Sequence, residues 1–180
     1  MDWVDELKRL LPPHADQTFD ADWTATEAQL GVEIPGDYKA FCATWGNGGQ
    51  LFQDLVFSGT RERDGVPKFV REARYFTRNY AQLRENWPEK YPLPAGLVDQ
   101  GMLPFAFTSD GDFVGWIIDE RADANDWLVA ILEHGSGTPN STGKTFAAFI
   151  IALASGQVPS DMLHPSLLAR PAVFEPLPTR

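Results

Sequence analysis

The segment Gly135-Ser136-Gly137-Thr138-Pro139-Asn140-Ser141-Thr142-Gly143-Lys144-Thr145 comes closest to a chemical motif. It follows a strand-like run, precedes a helix-like run and ends in Gly-Lys-Thr, as a phosphate-cradling loop does. The spacing fails. A Walker loop has four residues between its glycines, Gly137 and Gly143 have five between them, and Thr138 stands where the first glycine is needed. The segment therefore reads as a loop capped by Ser141 or Thr142. His14, His134 and His164 are far apart and lack metal-ligand spacing, so they read as surface histidines. Cys42 lies on an apolar helical stripe, where thiols are usually buried and inert. No metal or cofactor is expected.

Two charged groups remain. Asp110, Asp112, Asp119, Glu120, Asp123 and Asp126 fall on two loops of the second half. They lack the ligand ladder and closing glutamate of a calcium loop. Asp favours turns, and the functional reading is an acidic patch for a basic partner. Arg71, Arg74 and Arg78 line one face of a long helical pattern, either as a solvated face or as a second contact surface.

The elements that would carry these residues follow from periodicity. Trp3, Val4, Leu7, Leu10 and Leu11 share a helical face behind Asp2, and Pro12-Pro13 ends that helix. Thr24 and Glu27 have capping-box spacing, with Trp23 in the staple position. The helix they open runs to Leu30, and Gly31 supplies a left-handed stop. Pro35 opens the next helix at its first position. Tyr38, Phe41, Cys42 and Trp45 form its buried stripe, and Gly46 closes it. Leu51 to Phe57 reads as one strand, and 58–66 as a polar loop. Pro67 to Trp87 is a long amphipathic helix, and Pro92 and Pro94 mark a stiff connection.

The second half reads as a β-meander. Strands at Leu103 to Phe107 and Phe113 to Ile118 flank an Asp110-Gly111 turn, an acidic loop follows, and the next strand runs from Trp127 to Leu132. A last helix carries Phe146, Phe149, Ile150 and Leu153. The sum is a single α+β domain over 1–156, helices packed on an antiparallel sheet. Residues 157–180 read as a proline-rich tail laid over the surface or partly disordered.

Composition sets the remaining bounds. The 180 residues are 43% hydrophobic, with 6 Trp and 12 Phe, enough apolar side chain for a core. One cysteine excludes an internal disulfide framework. The start, Met1-Asp2-Trp3-Val4-Asp5-Glu6, lacks the positive charge and apolar run of a secretory signal. The longest apolar stretch, Phe146 to Ala154, is far short of the ~20 residues a bilayer requires. The expectation is a soluble cytoplasmic protein. A net charge of -10 sets the chain against nucleic-acid backbones and would attract a basic protein.

The run Trp23-Thr24-Ala25-Thr26-Glu27-Ala28-Gln29-Leu30-Gly31-Val32-Glu33-Ile34-Pro35-Gly36-Asp37-Tyr38 resembles the N-terminal signature of the SUKH superfamily, also called the Smi/Knr family. Glu27, Leu30, Gly31, Ile34, Pro35 and Tyr38 match it. Gly46-Asn47-Gly48-Gly49 matches the glycine-rich turn that follows. Leu103-Pro104-Phe105-Ala106 with Asp110-Gly111-Asp112, the strand aromatic Trp116, and the helix with Phe146, Phe149 and Ile150 continue the likeness over about residues 20 to 156. The resemblance implies a non-catalytic α+β domain that binds proteins. Many bacterial members are similar to cytoplasmic immunity proteins that block toxins, often nucleases; fungal members resemble regulators of cell-wall assembly. The expected function is neutralisation of a basic toxin by the acidic surface. The alternatives are a housekeeping interaction module with a resident partner, and an undetected hydrolase.

Overall fold

A computed structural model describes residues 2–14, 19–94, 101–158 and 163–177. Its first helix, α1 (Trp3–Leu10), is capped by the Asp2 carboxylate, which accepts from the Val4 N–H at 3.2 Å. Leu7 and Leu11 are fully buried. Helices α2 (Thr24–Leu30) and α3 (Gly36–Trp45) follow.

The capping box expected at Thr24 does not form. Trp23 holds the cap position without a side-chain bond, and Thr24 lies inside the helix, its N–H taken by Asp22 at 2.8 Å. Glu27 turns away from the helix start. Its carboxylate accepts from the Ile34 N–H at 2.9 Å and from Lys39 Nζ at 2.7 Å, bracing the loop between α2 and α3. Gly31 ends α2 at φ 76°, the left-handed stop that its lack of a Cβ permits. Pro35 stands one residue earlier than expected, at the cap of α3.

The single strand expected from Leu51 to Phe57 is a tight hairpin of β1 (Gly49–Leu51) and β2 (Leu55–Phe57). Phe52 and Gln53 turn it at φ 57° and 59°. Sequence patterning misses this turn, because such φ values ordinarily call for Asn or Gly. The expected loop at 58–66 holds a second small hairpin, β3 (Glu62–Arg63) and β4 (Val66–Pro67). It leads into α4 (Lys68–Asn86), the long helix anticipated from Phe69, Ala73, Phe76 and Tyr80.

The meander is present as β5 (Met102–Phe107), β6 (Phe113–Ile117) and β7 (Val129–Leu132), extended by β8 (Asn140–Ser141). Helices α5 (Phe146–Ala154) and α6 (Pro165–Leu168) and a strand β9 (Phe174–Pro176) complete the described chain. The main sheet has the order β8-β7-β6-β5-β2-β1-β9, each neighbouring pair antiparallel. The fold is α+β, as expected.

The segment after 156 does more than the tail reading supposes. β9 pairs with β1 as an edge strand, and Leu163, Leu167 and Phe174 are buried. This contact also explains the glycine-rich turn. A Cβ on Gly49 would meet the Phe174 ring at 2.5 Å, so only glycine lets β9 approach. Parts of the expected tail, 159–162 and 178–180, lie outside the described residues, as does 95–100 beyond the Pro92/Pro94 connection.

Alternation along the strands divides the core in two. Val114 and Trp116 of β6 join the main cluster, with Leu103, Phe105, Val129 and Ile131. Phe113 and Ile117 pack on a smaller cluster of Phe76, Tyr80, Tyr91, Met102 and Leu132. Tyr38 is the hub of the main cluster. The rings of Trp23, Phe69, Phe105, Trp116 and Phe146 lie 5.0–6.0 Å from its own, mostly edge-on. Its hydroxyl donates to the Ser58 carbonyl at 2.6 Å, which satisfies a donor fully out of water.

Candidate functional site

The acidic residues separate into two places and a buried one. Asp110 lies in the turn before β6, and Asp119, Glu120, Asp123 and Asp126 lie in the loop after it. β6 keeps them apart by its own length, roughly 13 Å at about 3.3 Å per residue. Asp112 is withdrawn from the surface. It is 8% exposed, and its carboxylate accepts from the His134 N–H at 2.8 Å. It ties the β5–β6 turn to the end of β7, and of the six acids expected on two loops, Asp119, Glu120, Asp123 and Asp126 share one exposed loop.

That loop is built by its own acids. The Asp119 carboxylate accepts from the Arg121 N–H at 3.0 Å. The Asp123 carboxylate accepts from the Asn125 N–H at 2.9 Å and its side-chain amide at 2.7 Å, starting a 3₁₀ turn at Ala124–Asp126. Two further bonds fasten the loop to the body. Trp127 Nε1 donates to the Asp119 carbonyl at 3.0 Å, and Asn125 Oδ1 accepts from the Gly36 N–H, the first residue of α3, at 2.7 Å. Turn formation and solvent exposure coexist here, since Asp119, Glu120, Asp123 and Asp126 are all exposed. Leu128, 42% exposed, adds an apolar contact beside them. Sequence reasoning missed Leu128 because it sits in a run that reads as strand interior. It missed Asn125 because its partner lies 89 residues away.

Asp37 stands nearby in the first turn of α3. It accepts from its neighbour Tyr38 at 2.8 Å and from the Ala147 N–H at 2.9 Å, so it caps α5 from another helix. Thr145, at the cap position of α5, makes no side-chain bond there, so neither Ser141 nor Thr142 is the cap. Burial raises the Asp37 carboxyl above its ordinary value, and the two N–H groups pull it partly back. Ser141 and Thr142 instead bind within their loop and to the Val129 carbonyl.

The arginines lie on α4. Arg71 donates to the Val66 carbonyl at 2.6 Å, and Arg74 reaches the Gln29 carbonyl at 3.5 Å. Arg78 is exposed and engages no hydrogen bond or ion pair among the described residues. Alongside this helix two cavities adjoin across Phe113, one of about 420 Å³ and one of about 330 Å³.

Other candidates for chemistry stay inert. Cys42 is fully buried, and burial pushes its thiol up to about 12, so it is protonated at neutral pH. Among the described residues no group of three or more His, Cys, Asp or Glu is placed to hold a metal ion. No described helix is long and apolar enough to cross a membrane.

The matched residues are thus a fold signature. Glu27 braces a loop, Gly31 stops a helix, Tyr38 centres the core, and Gly49 admits β9. Trp116, Phe146 and Phe149 are each fully buried. The fold they build is a single α+β domain of the SUKH type. The sequence profile of the SMI1-KNR4 cell-wall family, a SUKH family, matches residues 20–150, and the chain belongs to that family. No curated protein matches the chain closely enough to count as a relative. Domains of this family are generally non-catalytic, immunity or cell-wall-related proteins, which points to a protein partner.

Proposed function

We propose that the chain is a non-catalytic cytoplasmic immunity protein that neutralises a basic toxin domain by covering its substrate cleft with the 119–126 loop. The observation that carries this reading is the build of that loop. Four exposed carboxylates sit on a backbone locked by Asp119, Asp123, Asn125 and Trp127. A loop ordered before the partner arrives loses little conformational entropy on binding. Asp119 and Asp123 each spend one oxygen on the loop and keep the other for a cation. Glu33, with a side chain 74% exposed, stands before the start of α3 and pairs with Lys39 at 3.8 Å. Charge of this sign steers a basic partner, and Leu128 supplies apolar contact that charge alone does not.

The test is co-expression with a toxin domain encoded beside this gene, scored by host survival. Rescue should be lost when Asp119, Glu120, Asp123 and Asp126 are replaced by Lys in a protein that still folds. Rescue that survives the reversal would remove the loop from the interface. Absence of rescue by the unaltered protein would favour a resident partner and a housekeeping role.

A further inference from the structure

The two cavities beside α4 adjoin across Phe113 and are read together as one groove. Arg71, Tyr75 and Arg78 follow each other at i, i+4 and i+7 on the same side of the helix. With Glu72 they line the first cavity, and Phe76, Asn79, Tyr80 and Leu83 continue the same wall along the second. From Arg71 to Leu83 the wall is roughly 18 Å long at about 1.5 Å per residue. The floor is a row of side chains running across three strands. Phe107 of β5 stands directly opposite Phe113 of β6, which stands opposite Leu132 of β7. Phe107 and Phe113 are partly exposed, and Tyr75 is 54% exposed at the rim.

The rim of the first cavity is basic, against a net charge of -10 for the chain. Around the first cavity Arg71 and Arg78, with Lys68 beside them, face one acid, Glu72, and a second acid, Glu133, lines the other cavity. Glu72 is already engaged: it accepts from the Ser58 hydroxyl and pairs with Lys68 at 3.4 Å. Lys68 also lies over the Phe107 ring at 5.9 Å. Arg71 spends part of its guanidinium on the Val66 carbonyl, while Arg78 spends none on any described residue. In a chain of net charge -10, a groove with an aromatic floor and unspent guanidinium at its rim selects for anionic, apolar ligands. Arg71 and Arg78 are about 10 Å apart along the helix axis, the reach of three residues of extended chain. Phosphate backbones fit worse, because the acidic remainder of the surface repels a polyanion and the floor offers no further cation.

We propose that this groove is a second binding site, taking a short acidic peptide segment of a partner protein. An apolar side chain of the peptide occupies the cavity over Phe107 and Phe113, and its carboxylates pair with Arg78 and Arg71. The site is distinct from the 119–126 loop in place and in charge, so the protein can hold an acidic partner and a basic one on separate surfaces.

The experiment is an NMR titration of the full chain with a pool of octapeptides built from Glu, Asp, Phe and Leu. The control is a matched pool with Lys in place of the acids. The acidic pool should shift the signals of Tyr75, Arg78, Phe107 and Phe113, and the basic pool should not. Arg78→Glu and Tyr75→Ala alter exposed side chains, so the melting temperature should hold while affinity falls about tenfold or more. Binding should weaken several-fold as salt rises, as screening requires. No shifts in the groove at millimolar peptide, or equal shifts with the basic pool, would overturn the proposal. So would inorganic phosphate reproducing the arginine shifts and abolishing the peptide response. Loss of toxin rescue has no bearing on this readout, and the two proposals fail separately.

Discussion

The two faces of the sheet are covered in different ways. On one, α1, α2, α3 and α5 enclose an aromatic cluster whose central rings, Tyr38, Phe41, Phe105, Trp116 and Phe146, are 1% exposed or less. On the other, the C-terminal half of α4 covers Met102 and Leu132 and leaves Phe113 and Phe107 partly exposed. Carboxylates pin the helices of the closed face: Glu27 holds the α2–α3 loop, and Asp37 joins α3 to α5. On the open face the main polar tie is at one end, where the Tyr80 hydroxyl donates to the Gly137 carbonyl at 2.7 Å. The closed face has the burial that stabilises a fold, and the open face has the unspent surface that binding requires.

Truncating one ring on each face separates a core from a binding surface. Phe146 is fully buried and touches Tyr38, Phe41, Phe105 and Trp116. Phe146→Ala should cost about 3–5 kcal/mol, read from urea unfolding, the range for deleting a large buried ring. Phe113→Ala on the open face should cost less than about half of that, because water already reaches part of the ring. Equal losses would mean that the open face is as much a core as the closed one. The groove would then be an imperfection of packing.

A smaller effect tests the pins. Glu27→Ala removes the acceptor of the Ile34 N–H and the partner of Lys39, and should destabilise by about 1–2 kcal/mol. Glu27→Gln keeps an acceptor oxygen and should recover part of that loss. Thr24→Ala should change stability by less than about 0.5 kcal/mol, since Thr24 caps nothing and alanine is a good helix former. A loss of about 1 kcal/mol at Thr24 would restore the capping box.

These two residues also show where sequence is informative. Helices α3, α4 and α5 were legible because Tyr38, Phe41 and Trp45, or Phe69, Ala73 and Phe76, repeat at helical period and are buried. The meander was legible from alternation and Asp110-Gly111. The hairpin at Phe52-Gln53 was not, because its backbone is held by distant groups. Arg170 donates to the Phe52 carbonyl at 3.1 Å, and the Phe52 N–H donates to the Val173 carbonyl at 3.3 Å. β9 was hidden in the same way: three residues ending in proline carry no periodicity, and only pairing with β1 makes them a strand. Of the candidate site, the acids of the 119–126 loop were visible. Their separation from Asp110 and the burial of Asp112 depend on sheet register. The groove needed the fold outright, since Phe107 and Phe113 meet Tyr75 only when α4 is laid against β5 and β6.

The smallest effect concerns the second pin and is read through pH. Burial raises the Asp37 carboxyl above its ordinary 3.8, and the N–H groups of Ala147 and Tyr38 offset only part of that. Between 3.8 and the raised value, the folded state therefore holds more proton at Asp37 than the unfolded chain does. Stability from this group is complete below 3.8 and is lost as pH rises through the folded value. Asp37→Asn cannot titrate and keeps an acceptor for Ala147. The difference in unfolding free energy between the two proteins, followed from pH 3 to pH 7, should move in favour of the variant as pH rises, by under about 1 kcal/mol. A difference moving the other way would mean that the hydrogen bonds from Ala147 and Tyr38 outweigh burial and lower the carboxyl below its ordinary value, and Asp37 would then pin α3 to α5 more firmly as pH rises.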